Sequence, residues 1–192
     1  MESSNIAERL ANLSSAKRAL LEQRLKEESR ASLVVQSIPR RASREFAPLS
    51  FAQQRLWFLN RLDPESFVYN EARAVRLTGV LDVTALEKSL NYLIARHEVL
   101  RTVIVLDEGS PVQRVTDDRN IELPVIDLRG RHATEREAES RRLINETVQR
   151  PFVLSRDPTL RVLLLRLEAE QYVFVVVKHH IASDAWSSRI FW

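Results

Sequence analysis

Two apolar stretches near the C-terminus, residues 160–167 and 172–178, are separated by the polar tetrapeptide 168–171. Both are short and rich in Leu, Val and aromatic side chains, which favours buried strands over helices. The polar break between them predicts a hairpin, and a second hairpin is predicted around Glu108-Gly109-Ser110. The predicted strands are 69–77, 101–106, 112–115, 125–128, 160–167 and 172–178.

Other segments place apolar residues at helical spacing. The predicted helices are 1–30, which includes a second short helix from Ala16, then 50–61, 83–98 and one that begins near 134 and ends before Pro151. Candidate N-caps are Ser50 for the helix 50–61, the capping box Thr84/Glu87 for 83–98 and the capping box Thr134/Glu137 for the last helix. Strands and helices together predict an α+β fold with mostly antiparallel pairing.

The chain divides into three predicted parts. Residues 1–30 carry an apolar stripe and are interpreted as a helical leader, either a solvated helix or a docking segment for a partner subunit. Residues 31–47 are polar and without period, so they are predicted to be a linker. Residues 48–192 remain for one folded domain.

Composition excludes several classes of function. The 192 residues contain no cysteine, which excludes disulfides, thiolate catalysis and zinc–thiolate sites. Three glycines are too few for a phosphate-binding loop. The net charge of +3 comes from interspersed charges, so nucleic-acid binding is disfavoured. We find neither a signal peptide nor an apolar stretch near the ~20 residues of a membrane helix, and we expect a cytoplasmic protein.

The strongest chemical signal follows the last predicted strand, where His179-His180 precede Asp184 in the segment 178–187. Successive side chains on a strand point to opposite faces, so only one of the two imidazoles can face a given cavity. The same divergence argues against a metal site built from His179, His180 and Asp184. An aspartate in the following turn is close enough to stabilise that turn.

This segment resembles the HHxxxDG motif of condensation domains of non-ribosomal peptide synthetases, in the chloramphenicol-acetyltransferase-like superfamily. Residues 50–59 and 96–104 resemble the first and second core motifs of these domains, in the same order. The resemblance implies a half-domain of the chloramphenicol-acetyltransferase-like fold, with a mostly antiparallel sheet flanked by helices. It implies amide-bond formation between two carrier-bound acyl thioesters. The sequence departs from the motif at Ala185, where the family has glycine.

By this resemblance His180 is the catalytic histidine, acting either in proton transfer or in orienting the amine, while His179 points into the fold. Asp184 is implied to pair with Arg101 and so to fix the loop that carries His180; the alternative is an aspartate that caps the turn. Glycine is useful where φ is positive or where a ligand passes close to the backbone, so Ala185 is expected either in a left-handed conformation or beside the substrate channel. Ser183 is interpreted as a turn hydroxyl of the same loop rather than a nucleophile, since no Gly-x-Ser-x-Gly elbow surrounds it.

The resemblance further implies that carrier proteins are the partners, with their phosphopantetheine arm as substrate carrier and no cofactor bound directly. Other synthetase subunits could bind residues 1–30. In the family the site lies between two similar halves, so we expect a truncated domain that is inactive alone. We also expect it either to self-associate through an apolar face or to be marginally stable. Two alternatives remain: a docking module that retains half of the enzyme fold, and a stand-alone acyltransferase that uses a carrier or coenzyme A thioester.

Overall fold

A computed structural model describes residues 14, 15, 17, 19, 20, 22–24, 45–117 and 120–192. Residues Ser43–Trp192 form one compact unit, distinct from Met1–Ala42. Its helices are α1 (Phe51–Leu62), α2 (Val83–Arg96), a 3-10 turn (Glu98–Arg101), α3 (Ala133–Gln149) and α4 (Ala185–Phe191). Its strands are β1 (Phe46–Pro48), β2 (Asn70–Thr78), β3 (Thr102–Asp107), β4 (Ser110–Val115), β5 (Val125–Asp127), β6 (Leu160–Glu168) and β7 (Gln171–His179).

The larger sheet has the order β2-β7-β6-β5. Strands β6 and β7 form the predicted antiparallel hairpin, and β7 pairs antiparallel with β2 from Asn70↔His179 to Thr78↔Gln171. The short pair β5–β6 is parallel. Strand β7 therefore lies inside the sheet, which explains why nearly every residue of β7 is buried. The α+β prediction with mostly antiparallel pairing is confirmed.

The smaller sheet has the order β1-β4-β3. Its hairpin β3–β4 turns at Glu108 and Gly109, whose φ angles of 47° and 82° suit the tight turn of a two-residue hairpin. Strand β1 pairs with β4 through Phe46↔Arg114. Phe46 and Ala47, at the end of the predicted linker 31–47, therefore belong to this sheet.

The two faces of β7 support separate cores. Val173, Val175 and Val177 pack in a cluster with Phe152 and with partly buried residues of α1 and α3. Phe174 and Val176 pack in a second cluster with Leu90 and Ile94 of α2. Helices α1 and α3 thus contribute to one face of the larger sheet and α2 to the other.

Helices α1, α2 and α3 lie where predicted, whereas α4 was not among the predicted helices, and two of the caps differ. Ser50 caps α1 and forms a capping box with Gln53. Helix α2 is capped by Asp82, which accepts from the Ala85 amide at 2.9 Å, and not by the predicted Thr84/Glu87 box. Helix α3 begins after His132, which makes no side-chain cap, so the predicted Thr134/Glu137 box is also wrong. In both cases the helix begins one residue before the predicted capping threonine.

Most of the predicted leader 1–30 lies outside the described residues. The same holds for five apolar residues of its predicted stripe: Ile6, Leu10, Leu13, Leu21 and Leu25. The described residues 15, 17, 19, 20 and 22–24 are helical, and Leu20 is exposed. The docking role of this segment stays a prediction. In the described part of the chain, no helix combines the length and the apolar character needed to cross a membrane.

Candidate active site

The two histidines at the end of β7 lie in opposite environments, as strand alternation predicts. His179 is the last residue of β7 and is 3% exposed. The His180 side chain is 42% exposed. The His180 amide donates to the Tyr69 carbonyl at 2.9 Å, which continues the pairing with the chain before β2 for one more residue. The sheet therefore fixes the backbone from which the His180 imidazole projects.

His179 is a packing residue. Its Nδ1 accepts a hydrogen bond from the Ile181 amide at 3.1 Å, and its ring contacts the Phe152 ring edge to face with centroids 5.8 Å apart. Burial, with a smaller contribution from the neighbouring His180, lowers the pKa of His179 to about 4. His179 is therefore neutral at pH 7. Its hydrogen bond with the Ile181 amide stabilises the loop that follows β7.

His180 faces a cavity of about 370 Å³. Its Nδ1 lies 2.5 Å from Oε1 of Glu71, near the start of β2. The cavity is also lined by residues at the start of α1 and by the loop 181–184. Among the residues that line the cavity are Gln53 of α1, His180 and Ser187 of α4.

Helix α1 supports the loop that follows His180. The Gln53 amide nitrogen donates to the Ile181 carbonyl at 3.3 Å and to the Gln113 side chain at 3.2 Å. The loop also closes on itself, because the Ala182 amide donates to the His179 carbonyl at 3.0 Å. The first core motif therefore contacts the histidine loop through Gln53.

Asp184 does not pair with Arg101, so that prediction is wrong. Asp184 is the N-cap of α4, and its Oδ1 accepts from the amide and the hydroxyl of Ser187 at 2.8 and 2.6 Å. These hydrogen bonds, led by that of the Ser187 hydroxyl, lower the pKa of Asp184. Arg101 instead donates to the Thr116 carbonyl at 2.7 Å and lies 4.0 Å from Glu98. The alternative of an aspartate that caps the turn describes Asp184 correctly.

Ala185 is the first residue of α4, so the expected left-handed conformation is wrong. Among the described residues, Glu108 is the one non-glycine residue with positive φ. Alanine is a good helix former, and its place in the first turn of α4 explains why glycine is not required there.

Ser183 belongs to a buried polar cluster that the sequence analysis did not identify. Lys178 is 4% exposed, and its Nζ donates to the hydroxyls of Ser183 and Ser188 at 2.8 and 2.7 Å. Its ammonium also lies 5.0 Å from the centroid of the Phe191 ring. Burial lowers the pKa of Lys178, while Glu71 opposes that effect. In the sequence, the lysine that directly follows the apolar run 172–177 could have indicated this buried polar cluster.

Glu71 was also missed. Its carboxylate connects His180 to this cluster, because its second oxygen lies 3.4 Å from the Ser188 hydroxyl. The pairing of β2 with β7 joins strands that are far apart in sequence, so no local pattern identifies the contact. Within the described residues, no group of three His, Cys, Asp or Glu side chains could hold a metal ion.

Comparisons with known proteins agree with these features. A profile of the condensation domain matches residues 43–192. A linear gramicidin synthase of Brevibacillus parabrevis is 53% identical over 144 residues, which cover 75% of this chain and 3% of that protein.

Solved structures are similar over most of the chain. The starter condensation domain of rhizomide synthetase RzmA matches with a TM-score of 0.69 and 26% identity, covering 76% of this chain and 36% of that one. A chain in the complex of the X-domain and OxyB from teicoplanin biosynthesis matches with a TM-score of 0.69 and 31% identity. This match covers 81% of the present chain and 32% of that one. The chain thus spans roughly a third of the length of these solved chains.

Proposed function

Because the chain belongs to the condensation-domain family, we propose that it contributes the histidine-bearing part of a site that joins two carrier-bound acyl groups through an amide bond. The observation that carries this proposal is the placement of His180. Its backbone is fixed by the sheet, its Nδ1 lies against Glu71, and its ring faces a cavity between the start of α1 and the loop before α4.

In the proposed reaction, the amine of an acceptor aminoacyl thioester attacks the carbonyl carbon of a donor thioester. A C–N bond forms, the C–S bond breaks and the donor carrier leaves as a thiol. The amine loses one proton and the departing sulfur gains one. His180 holds the attacking amine and conveys this proton, a role to which neutral imidazole is suited and that contributes typically ~10²–10⁴-fold.

The partners in this proposal are carrier proteins, and their phosphopantetheine arms bring the two thioesters to the cavity beside His180. No directly bound cofactor is required, since the chemistry needs an amine, a thioester and a proton carrier. Residues 1–30 are proposed to dock on another synthetase subunit. A cytoplasmic location, predicted above, also remains a proposal.

We expect no amide formation by the chain alone. His180 is 42% exposed, so an amine beside it is solvated and loses the positioning and dry surroundings on which the reaction depends. The test presents the purified chain with loaded donor and acceptor carriers and looks for dipeptidyl product by mass spectrometry. Product that disappears in His180→Ala would show that this chain suffices.

A graft tests the function itself. Residues 43–192 replace the matching stretch of the linear gramicidin synthase described above, and the carriers of that synthase provide the thioesters. We expect product from the graft and a loss of at least ~100-fold with His180→Ala. The matched control is His132→Ala, an exposed histidine at the start of α3. A folded graft without product, or unchanged activity in His180→Ala, would contradict the proposal.

A docking module is the second candidate function. It is favoured by the likeness to a chain from the complex of the X-domain and OxyB, and by the exposed apolar residues of α1 and α4. A graft that folds, makes no product and still binds a partner protein of the synthase would support this alternative. Product from coenzyme A thioesters without carriers would instead favour a stand-alone acyltransferase.

A further inference from the structure

The register of the larger sheet brings Glu71 to His180. Glu71 of β2 pairs with Lys178 of β7, and directly paired residues of an antiparallel ladder point to the same face. His180 lies two residues beyond Lys178 and stays in the ladder through its bond to Tyr69. Its side chain therefore returns to the face that carries Glu71 and Lys178.

The Glu71 carboxylate is held at both oxygens. Oε1 lies 2.5 Å from the Nδ1 of His180, and Oε2 lies 3.4 Å from the hydroxyl of Ser188. That hydroxyl accepts from Lys178 Nζ at 2.7 Å, and the lysine is buried. The ammonium of Lys178 gives the carboxylate a counter-charge on the side away from His180. Glu71 is thus fixed by β2, α4 and β7 together, and its side chain is only 29% exposed.

We propose that Glu71 is a positioning residue that sets the tautomer and orientation of His180. An ionised carboxylate only accepts hydrogen bonds, so the ring nitrogen that faces it, Nδ1, carries the proton. In a neutral ring, Nε2 is then the unprotonated nitrogen. Among the described residues, none forms a hydrogen bond with Nε2, and His180 lines the 370 Å³ cavity.

The catalytic consequence rests on the function proposed above. With Nε2 as the acceptor, the ring can take a proton from the attacking amine without first rearranging its own. When it does so it becomes an imidazolium, and the carboxylate beside Nδ1 stabilises that charge. Asp184 is not available for this role, because its carboxylate caps α4 through Ser187.

Histidine NMR of the 15N-labelled chain tests the tautomer without any need for activity. Long-range ¹H–¹⁵N correlations distinguish a protonated ring nitrogen from a bare one, and the spectrum of His180→Gln assigns the signals. We expect Nδ1–H and bare Nε2 for neutral His180. In Glu71→Gln the side-chain amide can donate to Nδ1, so we expect the Nε2–H tautomer. Glu71→Asp retains a carboxylate and should keep Nδ1–H.

The control is Glu170→Gln, an exposed glutamate in the β6–β7 turn, which should leave the spectrum of His180 unchanged. Nε2–H in the unaltered chain, or no change of tautomer in Glu71→Gln, would overturn the proposal. Both results are readable in a folded protein, and circular dichroism of each variant checks that the fold is retained.

The graft described above supplies the kinetic test. Glu71→Gln should lower kcat by ~10²–10⁴-fold, as when a histidine is held in the wrong tautomer, with KM changed by less than about threefold. Glu71→Asp should recover part of the loss. A graft that is active and equally so in Glu71→Gln overturns the positioning role and leaves the function standing. An inactive graft whose His180 still carries Nδ1–H overturns the function alone.

Discussion

His179 and His180 are adjacent in sequence, yet His179 is a buried packing residue and His180 is the candidate catalytic residue. His179 is enclosed by Phe152 and the Ile181 amide, whereas His180 projects beside Glu71 at the mouth of a cavity. The alternation of side chains at the end of β7 produces both environments from a His-His pair.

The buried neutral state of His179 predicts a pH-dependent stability. Its pKa is about 4 in the folded chain against an ordinary 6.5, so between these values the unfolded chain binds the extra proton. The contribution of neutral His179 to the free energy of unfolding is therefore fully present above pH 6.5 and is lost as the pH falls toward 4. We expect this histidine to reduce the free energy of unfolding by roughly 2–3 kcal/mol between pH 7.5 and 4.5, measured by urea unfolding.

Other groups also titrate in this range, so a variant isolates the effect of His179. His179→Asn keeps an acceptor for the Ile181 amide but cannot be protonated, and it should show a weaker pH dependence than the unaltered chain. His132→Asn removes an exposed histidine and should follow the unaltered chain. Equal slopes for His179→Asn and the unaltered chain would contradict a buried neutral imidazole.

At the scale of single residues, the sequence predicted those side-chain environments that depend only on neighbours along the chain. The opposite environments of His179 and His180 follow from alternation alone. The predicted pairing of Asp184 with Arg101 was wrong because Asp184 lies at the N-terminus of α4. There its carboxylate accepts hydrogen bonds from the nearby Ser187. Glu71 was missed because its position depends on a strand pairing that spans more than 100 residues, Glu71↔Lys178. The catalytic role of His180 stays a prediction.

Helix α4 is the element whose start orders the loop after His180. It has only seven residues, so it depends strongly on its cap at Asp184. We expect Asp184→Ala to lower the melting temperature and Asp184→Asn, which keeps an oxygen acceptor for Ser187, to lower it less. The pKa of Asp184 is lowered, so this contribution is present above its ordinary pKa of 3.8 and is lost as the pH falls.

Ala185→Gly is the companion variant at the next residue. Because Ala185 is helical, glycine relieves no strain and should destabilise the chain by up to about 1 kcal/mol in thermal or urea unfolding. Glu108→Gly is the matched control, since Glu108 has a φ of 47° and glycine relieves strain there. A stability gain in Ala185→Gly would show that the start of α4 is strained.

Strands β2 to β7 and helices α1 to α3 were predicted because each is encoded within its own segment. The hairpin of β6 and β7 follows from two apolar stretches and a polar turn, and α1 follows from Ser50 and its apolar periodicity. The caps of α2 and α3 were less predictable, since several polar residues near each start can serve and tertiary contacts select one. Strand β1 was missed because its three residues pair with the distant strand β4.

For the whole molecule, the order of strands β2-β7-β6-β5 and the split into two sheets could not be predicted from local patterns, because both depend on contacts between distant segments. This arrangement decides which helices border the candidate site. Helix α1 begins at the cavity of His180, and α4 begins at the same cavity through Ser187. Both helices also carry apolar side chains that are exposed in the compact unit: Phe51, Phe58 and Leu62 on α1, and Trp186 and Ile190 on α4.

These exposed side chains predict self-association of the chain. Trp186 and Ile190 are 72% and 70% exposed and lie one helical turn apart on α4, so they present one apolar surface to water. Burying such side chains stabilises a contact by roughly 1.5–3 kcal/mol each. Sedimentation velocity should therefore show association that increases with concentration.

The double variant Trp186→Gln/Ile190→Gln should weaken the affinity of this self-association by about tenfold or more. Val80→Ser provides the control, because Val80 is 92% exposed but lies outside α4, in the connection between β2 and α2. A chain that stays monomeric at all concentrations, or an equal effect of Val80→Ser, would show that the apolar surface of α4 does not drive association.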